Sequence, residues 1–130
     1  MASPSEPGLL KRVLVADDDQ AVCALLERVL RPLARVTSVG DGEAALAAVR
    51  AGRFDAIVSD FGLPGMDGLD FVRLVRAEHP LPPIPILLIS GHGSEVGDAR
   101  ARAAGADAFL AKPFSLEQLR AALAALLREA

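Results

Sequence analysis

Val13-Leu14-Val15-Ala16-Asp17-Asp18-Asp19 sets a form that recurs in Ala56-Ile57-Val58-Ser59-Asp60, Ile86-Leu87-Leu88-Ile89-Ser90 and Ala108-Phe109-Leu110-Ala111-Lys112-Pro113. Each is a short apolar run that stops at a polar residue, the pattern of a strand buried on both faces. Between the runs the apolar period changes from continuous to helical. After the first, Val22, Leu25, Leu26, Val29, Leu30 and Leu33 recur at helical spacing, with Pro32 expected to end the helix. Val36 to Val39 reads as a weaker second strand. Gly40-Asp41-Gly42 then leads into an alanine-rich helix that runs toward Arg50 and stops at Gly52. The third helix begins near Gly68 and buries Leu69, Val72 and Val75, and the fourth runs from about Ser94 to Ala104. Ser115 and Gln118 form a capping box opening a last helix that buries Leu116, Leu119, Leu123, Leu126 and Leu127. The order is (βα) five times over. It predicts an α/β fold, a doubly wound five-stranded parallel sheet covered by helices on both faces. In such sheets the functional site lies beyond the carboxyl ends of the strands.

Composition narrows the function classes. The 130 residues suit one compact domain: residues 1–8, with two prolines and a glycine, are expected to be a flexible tail, and 9–130 the domain. A net charge of −3 gives no electrostatic footprint for nucleic acid. The apolar runs are too short to span a membrane and no signal segment is visible, so a cytoplasmic location is expected. Cys23 is the single cysteine and His79 and His92 the two histidines, too few soft ligands for a zinc site. Any metal must be held by oxygen, and Cys23, on an apolar helical face, reads as a small buried hydrophobe.

The strand ends carry the chemistry. The first ends in Asp17-Asp18-Asp19, the third in Asp60, the fourth in Ser90 and the fifth in Lys112-Pro113. Carboxylates, a hydroxyl and an ammonium together can hold a hard cation and a phosphoryl group. Magnesium favours oxygen ligands and takes one or two carboxylates plus phosphate oxygens. Clustered carboxylates repel one another unless a cation neutralises them.

These residues bring a resemblance into view. The Asp17-Asp18-Asp19 end, Asp60-Phe-Gly-Leu-Pro64-Gly-Met-Asp67-Gly68, Ser90-Gly91 and Phe109-Leu-Ala-Lys112-Pro113 resemble, in order and spacing, the receiver domain of two-component response regulators. The resemblance implies a flavodoxin-like sheet of strand order 2-1-3-4-5. It implies that Asp60 accepts a phosphoryl group from a histidine kinase, a histidine phosphotransfer protein or a small phosphodonor. Asp17, Asp18, Asp60 and the backbone carbonyl of Gly62 would hold Mg2+. Lys112 would offset charge on the phosphoryl oxygens, Ser90 would hydrogen-bond them, Gly91 would leave them room, and the rotamer of Phe109 would follow Ser90. A downstream protein would read the face of the fourth helix, fifth strand and fifth helix. The chain would be a stand-alone regulator or part of a larger one or of a hybrid kinase, and not a turnover enzyme. Three further expectations follow: a cis Lys112-Pro113 peptide, mobility from Gly91 to about Gly97, and a monomer when unphosphorylated.

Simpler roles compete for some of these residues. Asp19 reads as a helix cap rather than a ligand, and Asp67 with Gly68 as the turn and cap of the third helix. Lys112 is one of two lysines against twelve arginines, and a compact ammonium suits a phosphoryl oxygen as a point charge. The rival reading is a haloacid-dehalogenase-like phosphohydrolase with Asp17-x-Asp19, Ser90 and Lys112. It lacks acidic ligands after the lysine, where Glu117 and Glu129 fall at helical positions, and it has no room for a cap. No phosphate-binding glycine motif follows the first strand.

Overall fold

The computed structural model describes residues 10–79, 82–91 and 97–129. The expected tail lies outside the described residues, as do 92–96 of the segment expected to be mobile. Five strands, β1 (Lys11–Ala16), β2 (Ala34–Val39), β3 (Ala56–Asp60), β4 (Ile86–Ser90) and β5 (Ala108–Ala111), alternate with five helices. These are α1 (Gln20–Leu30), α2 (Gly42–Ala51), α3 (Gly68–Glu78), α4 (Asp98–Ala104) and α5 (Leu116–Glu129). The strands are parallel in the order β2-β1-β3-β4-β5. This is the expected doubly wound, flavodoxin-like sheet.

Strand alternation divides the core in two. Leu14, Ala16, Ile57, Ile86 and Leu88 pack on one face with Ala45, Leu46, Val49, Phe71, Val72 and Val75 of α2 and α3. Their neighbours Val13, Val15, Val58, Leu87 and Ile89 point the other way, onto Leu26, Leu30, Leu119, Leu123 and Leu126 of α1 and α5. Burial on both faces forces every central strand residue to be apolar or small. The apolar runs therefore end where the sheet ends, and the next residue faces the site.

Local chemistry sets the helix boundaries. Asp19 accepts from the Ala21 and Val22 N–H groups, Asp41 from Ala44 and Asp67 from Asp70, each satisfying orphan amides of a helix start. Ser115 and Gln118 form the expected reciprocal capping box, at 3.0 and 2.8 Å.

Several expectations are corrected. The α1 stripe stops at Leu30: Pro32 has no N–H to continue the helix, and Leu33 is left 53% exposed. Leu116 is 45% exposed because it is the first residue of α5, a turn ahead of the buried stripe that starts at Leu119. Leu127 is only half-buried. β2 begins at Ala34, earlier than the apolar pattern showed, because Lys11 and Arg12 pair with Ala34 and Arg35. The first helical residue described in α4 is Asp98.

Candidate functional site

The carboxyl ends of β1, β3, β4 and β5 meet at one edge of the sheet. Asp17 follows β1 directly and is fixed by its own backbone, whose N–H donates to the Val39 carbonyl at 3.0 Å. Its side chain is almost wholly enclosed. Oδ1 accepts from the Asp19 N–H at 2.8 Å, and the buried Oδ2 has no hydrogen-bond donor among the described residues. Burial pushes the Asp17 carboxyl above the ordinary carboxylate range. The Asp19 N–H pulls it back, Asp60 raises it again, and Lys112 opposes. Asp18 beside it is exposed.

Asp60, the last residue of β3, is buried at the centre of the edge. One carboxylate oxygen from each of Asp17, Asp18 and Asp60 lies within 4.8 Å of the others. Lys112 reaches in from beyond β5, with Nζ 3.5 Å from Asp60 Oδ1 and 3.8 Å from Asp17 Oδ2. It is held from behind, because its N–H donates to the Ser90 carbonyl at 2.7 Å, and its peptide to Pro113 is cis as expected.

Ser90 ends β4 fully buried, and its Oγ has no hydrogen-bond partner among the described residues. A buried hydroxyl ordinarily has a hydrogen-bond partner. Gly62 lies close enough to the site that a Cβ there would stand 3.4 Å from Asp60 Oδ2, and no described residue comes within 4 Å of the Cβ position at Gly91. Phe109 is half-buried and packs against the α2–α3 side of the core, opposite Leu88 in the β4–β5 register.

The structure thus brings Asp17, Asp18, Asp60, Gly62, Ser90 and Lys112 to one edge. Asp19 is turned to the helix cap, as its spacing indicated. Cys23 departs from its reading as a purely apolar residue: it is half-buried, and its thiol donates to the Asp17 carbonyl at 3.3 Å. Burial first, then the charges of Asp17 and Glu27, push that thiol upward. Nothing in the helical spacing signalled the contact, which spans the turn between β1 and α1.

A model of the response regulator receiver domain matches residues 13–124. The chain belongs to that family. It is 31% identical over 111 residues to the chemotaxis protein CheY of Pseudomonas aeruginosa, covering 84% of this chain and 90% of that protein. It is 39% identical over 119 residues to the DNA-binding response regulator MtrA of Mycobacterium leprae, covering 91% of this chain and 52% of that one. The chain spans about half the length of the mycobacterial regulators it matches. Among solved structures, the chemotaxis response regulator CheY4 of Vibrio cholerae superposes with a TM-score of 0.82 at 33% identity, over 91% of this chain and 99% of that one. The receiver domain of a sensor histidine kinase from Pseudomonas aeruginosa, solved with a magnesium ion in its active-site cleft, gives 0.79 at 30% identity, over 92% and 98%. The receiver fold and the signalling class of the domain follow from these matches. No helix among the described residues is long and apolar enough to cross a membrane.

Proposed function

We propose that Asp60 is the phosphoacceptor of this receiver domain. The observation that carries the reading is a buried carboxylate with an ammonium at 3.5 Å, a carboxylate pair within 4.8 Å and, at the same edge, a buried hydroxyl without a partner among the described residues. An oxygen of Asp60 attacks the phosphorus of a phosphohistidine on a histidine kinase or a phosphotransfer protein. The P–O bond forms as the P–N bond breaks, and the electron pair leaves with the imidazole. Lys112 stands where it can neutralise charge on the phosphoryl oxygens, and Ser90 Oγ is free to donate to them.

The donor set suits Mg2+: all oxygen, two carboxylates enclosed and one exposed, with the Asp17 Oδ2 lacking a donor. Asp17, Asp18, Asp60 and the Gly62 carbonyl would hold it. The ion would supply the positive charge that lets three acids and a phosphoryl group share one site. The domain acts as a self-modifying switch rather than a turnover enzyme. Movement of Ser90 and Phe109 would carry phosphorylation to the face of α4, β5 and α5, where a protein target binds. The unphosphorylated chain is a cytoplasmic monomer: Ala106-Asp107-Ala108-Phe109 lacks the second acid of the Ala-Asp-Asp-Tyr found in winged-helix regulators that dimerise. The net charge of −3 gives no overall electrostatic attraction to nucleic acid.

Incubation with Mg2+ and acetyl phosphate tests the assignment. A hydroxylamine-sensitive acyl phosphate is expected, lost in Asp60→Asn and on chelation, and weakened in Lys112→Ala. Label on Asp17, or turnover of phosphate esters that survives Asp60→Asn, would overturn it in favour of a phosphohydrolase.

A further inference from the structure

The loop 61–67 carries Gly62 from β3 to α3. Its two ends are fixed, since the Phe61 N–H donates to the Ile89 carbonyl and the Gly68 N–H to the Phe61 carbonyl, both at 2.7 Å. Between them, among the described residues, one hydrogen bond ties the backbone of 62–66 to the rest of the fold: from the Gly42 N–H to the Pro64 carbonyl, at 3.4 Å. Gly42 is the buried first residue of α2. A Cβ on it would lie 2.6 Å from Met66 Cβ and 2.8 Å from the Met66 carbonyl oxygen, whereas a Cβ at Gly40, two residues earlier, meets nothing within 4 Å.

The overlap at Gly42 is 0.8 Å short of ordinary contact at 3.4 Å, and one side must yield. α2 is held in the core by Ala45, Leu46 and Val49, and the loop by the buried Leu63 and the half-buried Met66, while Gly62, Pro64 and Gly65 are exposed. With a regular helix on one side and a single 3.4 Å backbone hydrogen bond on the other, the loop is the softer partner.

We propose that Gly42 is a positioning residue for the metal site: its bare Cα lets the loop rest on the start of α2 and so sets where the Gly62 carbonyl stands. The inference rests on the reading of Gly62 as a ligand. Magnesium demands near-ideal octahedral geometry, so a ligand moved by several tenths of an ångström is felt as lost affinity. An alanine at an unobstructed helix position is otherwise favoured over glycine, so helix propensity predicts no loss.

Calorimetric titration of the full chain with Mg2+ decides it. Gly42→Ala is expected to weaken binding by about tenfold, in the range set by residues that orient metal ligands, and Gly40→Ala to leave it unchanged. Adding Met66→Gly to Gly42→Ala removes the struck Cβ and recovers part of the loss. A Gly42→Ala loss below about threefold, or one matched by Gly40→Ala, overturns the proposal, as does a double variant no tighter than the single. Should Gly42→Ala lose its cooperative thermal transition, the double variant is compared with Met66→Gly alone: the Met66 carbonyl oxygen still stands 2.8 Å from the added Cβ, so a residual loss smaller than about tenfold supports the proposal and equal affinity overturns it. A wild-type chain that binds no Mg2+ removes the metal reading itself, and the inference with it.

Discussion

Replacing Asp17 with asparagine should stabilise the metal-free fold while removing its response to Mg2+. The Asp17 side chain is 2% exposed, and its Oδ2 has no donor among the described residues. At an effective dielectric near 20, a like charge on Asp60 no farther than 4.8 Å costs at least about 3.5 kcal/mol, and Lys112 at 3.8 Å returns about 4.4 kcal/mol. These nearly cancel, the more so because Lys112 is shared with Asp60. Burial then decides the sign, and it disfavours the ionised acid. Asparagine keeps an oxygen for the Asp19 N–H and drops the charge, so a gain of about 1–2 kcal/mol is expected without metal. For a domain of this size that is a rise of roughly 3–6 °C in Tm.

The pH dependence carries the same sign. Because the Asp17 pKa is raised above its ordinary value of 3.8, the folded chain holds that proton more tightly than the unfolded chain does. Wild-type stability in EDTA therefore falls as pH rises through the folded pKa, and the loss is complete above it. The variant lacks this decline. Mg2+ at ten times its Kd should raise wild-type stability by about 1.4 kcal/mol and leave Asp17→Asn unmoved. Tryptophan and tyrosine are absent, so far-UV circular dichroism is the suitable probe of melting. An Asp17→Asn chain that melts below wild type in EDTA at neutral pH would refute the reasoning.

Two stability predictions concern parts of the fold away from the acids. Arg76→Ala should cost about 2–3 kcal/mol in urea unfolding, since the guanidinium donates to the Gly105 and Ile84 carbonyls and to Asp107, and its loss strips those acceptors. Ser115→Ala should cost about 1 kcal/mol, read as a lower Tm, by opening the capping box of α5.

The strand pattern made most of the fold and site legible. A central parallel strand has no solvent face, so β1, β3 and β4 could only be written as apolar runs, and the first polar residue after each run lies at the candidate site: Asp17, Asp60, Ser90. β2, at the edge, escapes the rule, and its start at Ala34 was missed for that reason. Leu33 and Leu116 misled because periodicity gives the face of a helix but not where the helix ends against the sheet.

What stayed hidden is contact between segments distant in sequence. Arg76 and Asp107 are 31 residues apart, and each looks like an ordinary surface charge until the fold brings the end of α3 to the residue before β5. There Asp107 also accepts from the Ile86 N–H at 2.8 Å, so one carboxylate closes both the start of β4 and the end of α3. Gly42 is a similar case: in the sequence it belongs to a turn that any Gly-Asp-Gly would make, and its bare Cα acquires meaning only against Met66. Both contacts are set by where the fold brings the segments together. The acids, the hydroxyl and the lysine declare their chemistry by type, whereas Arg76, which ties the end of α3 to the segments before β4 and β5, and Gly42, which leaves room for Met66, are of types that sequence reading assigns to solvent and turns.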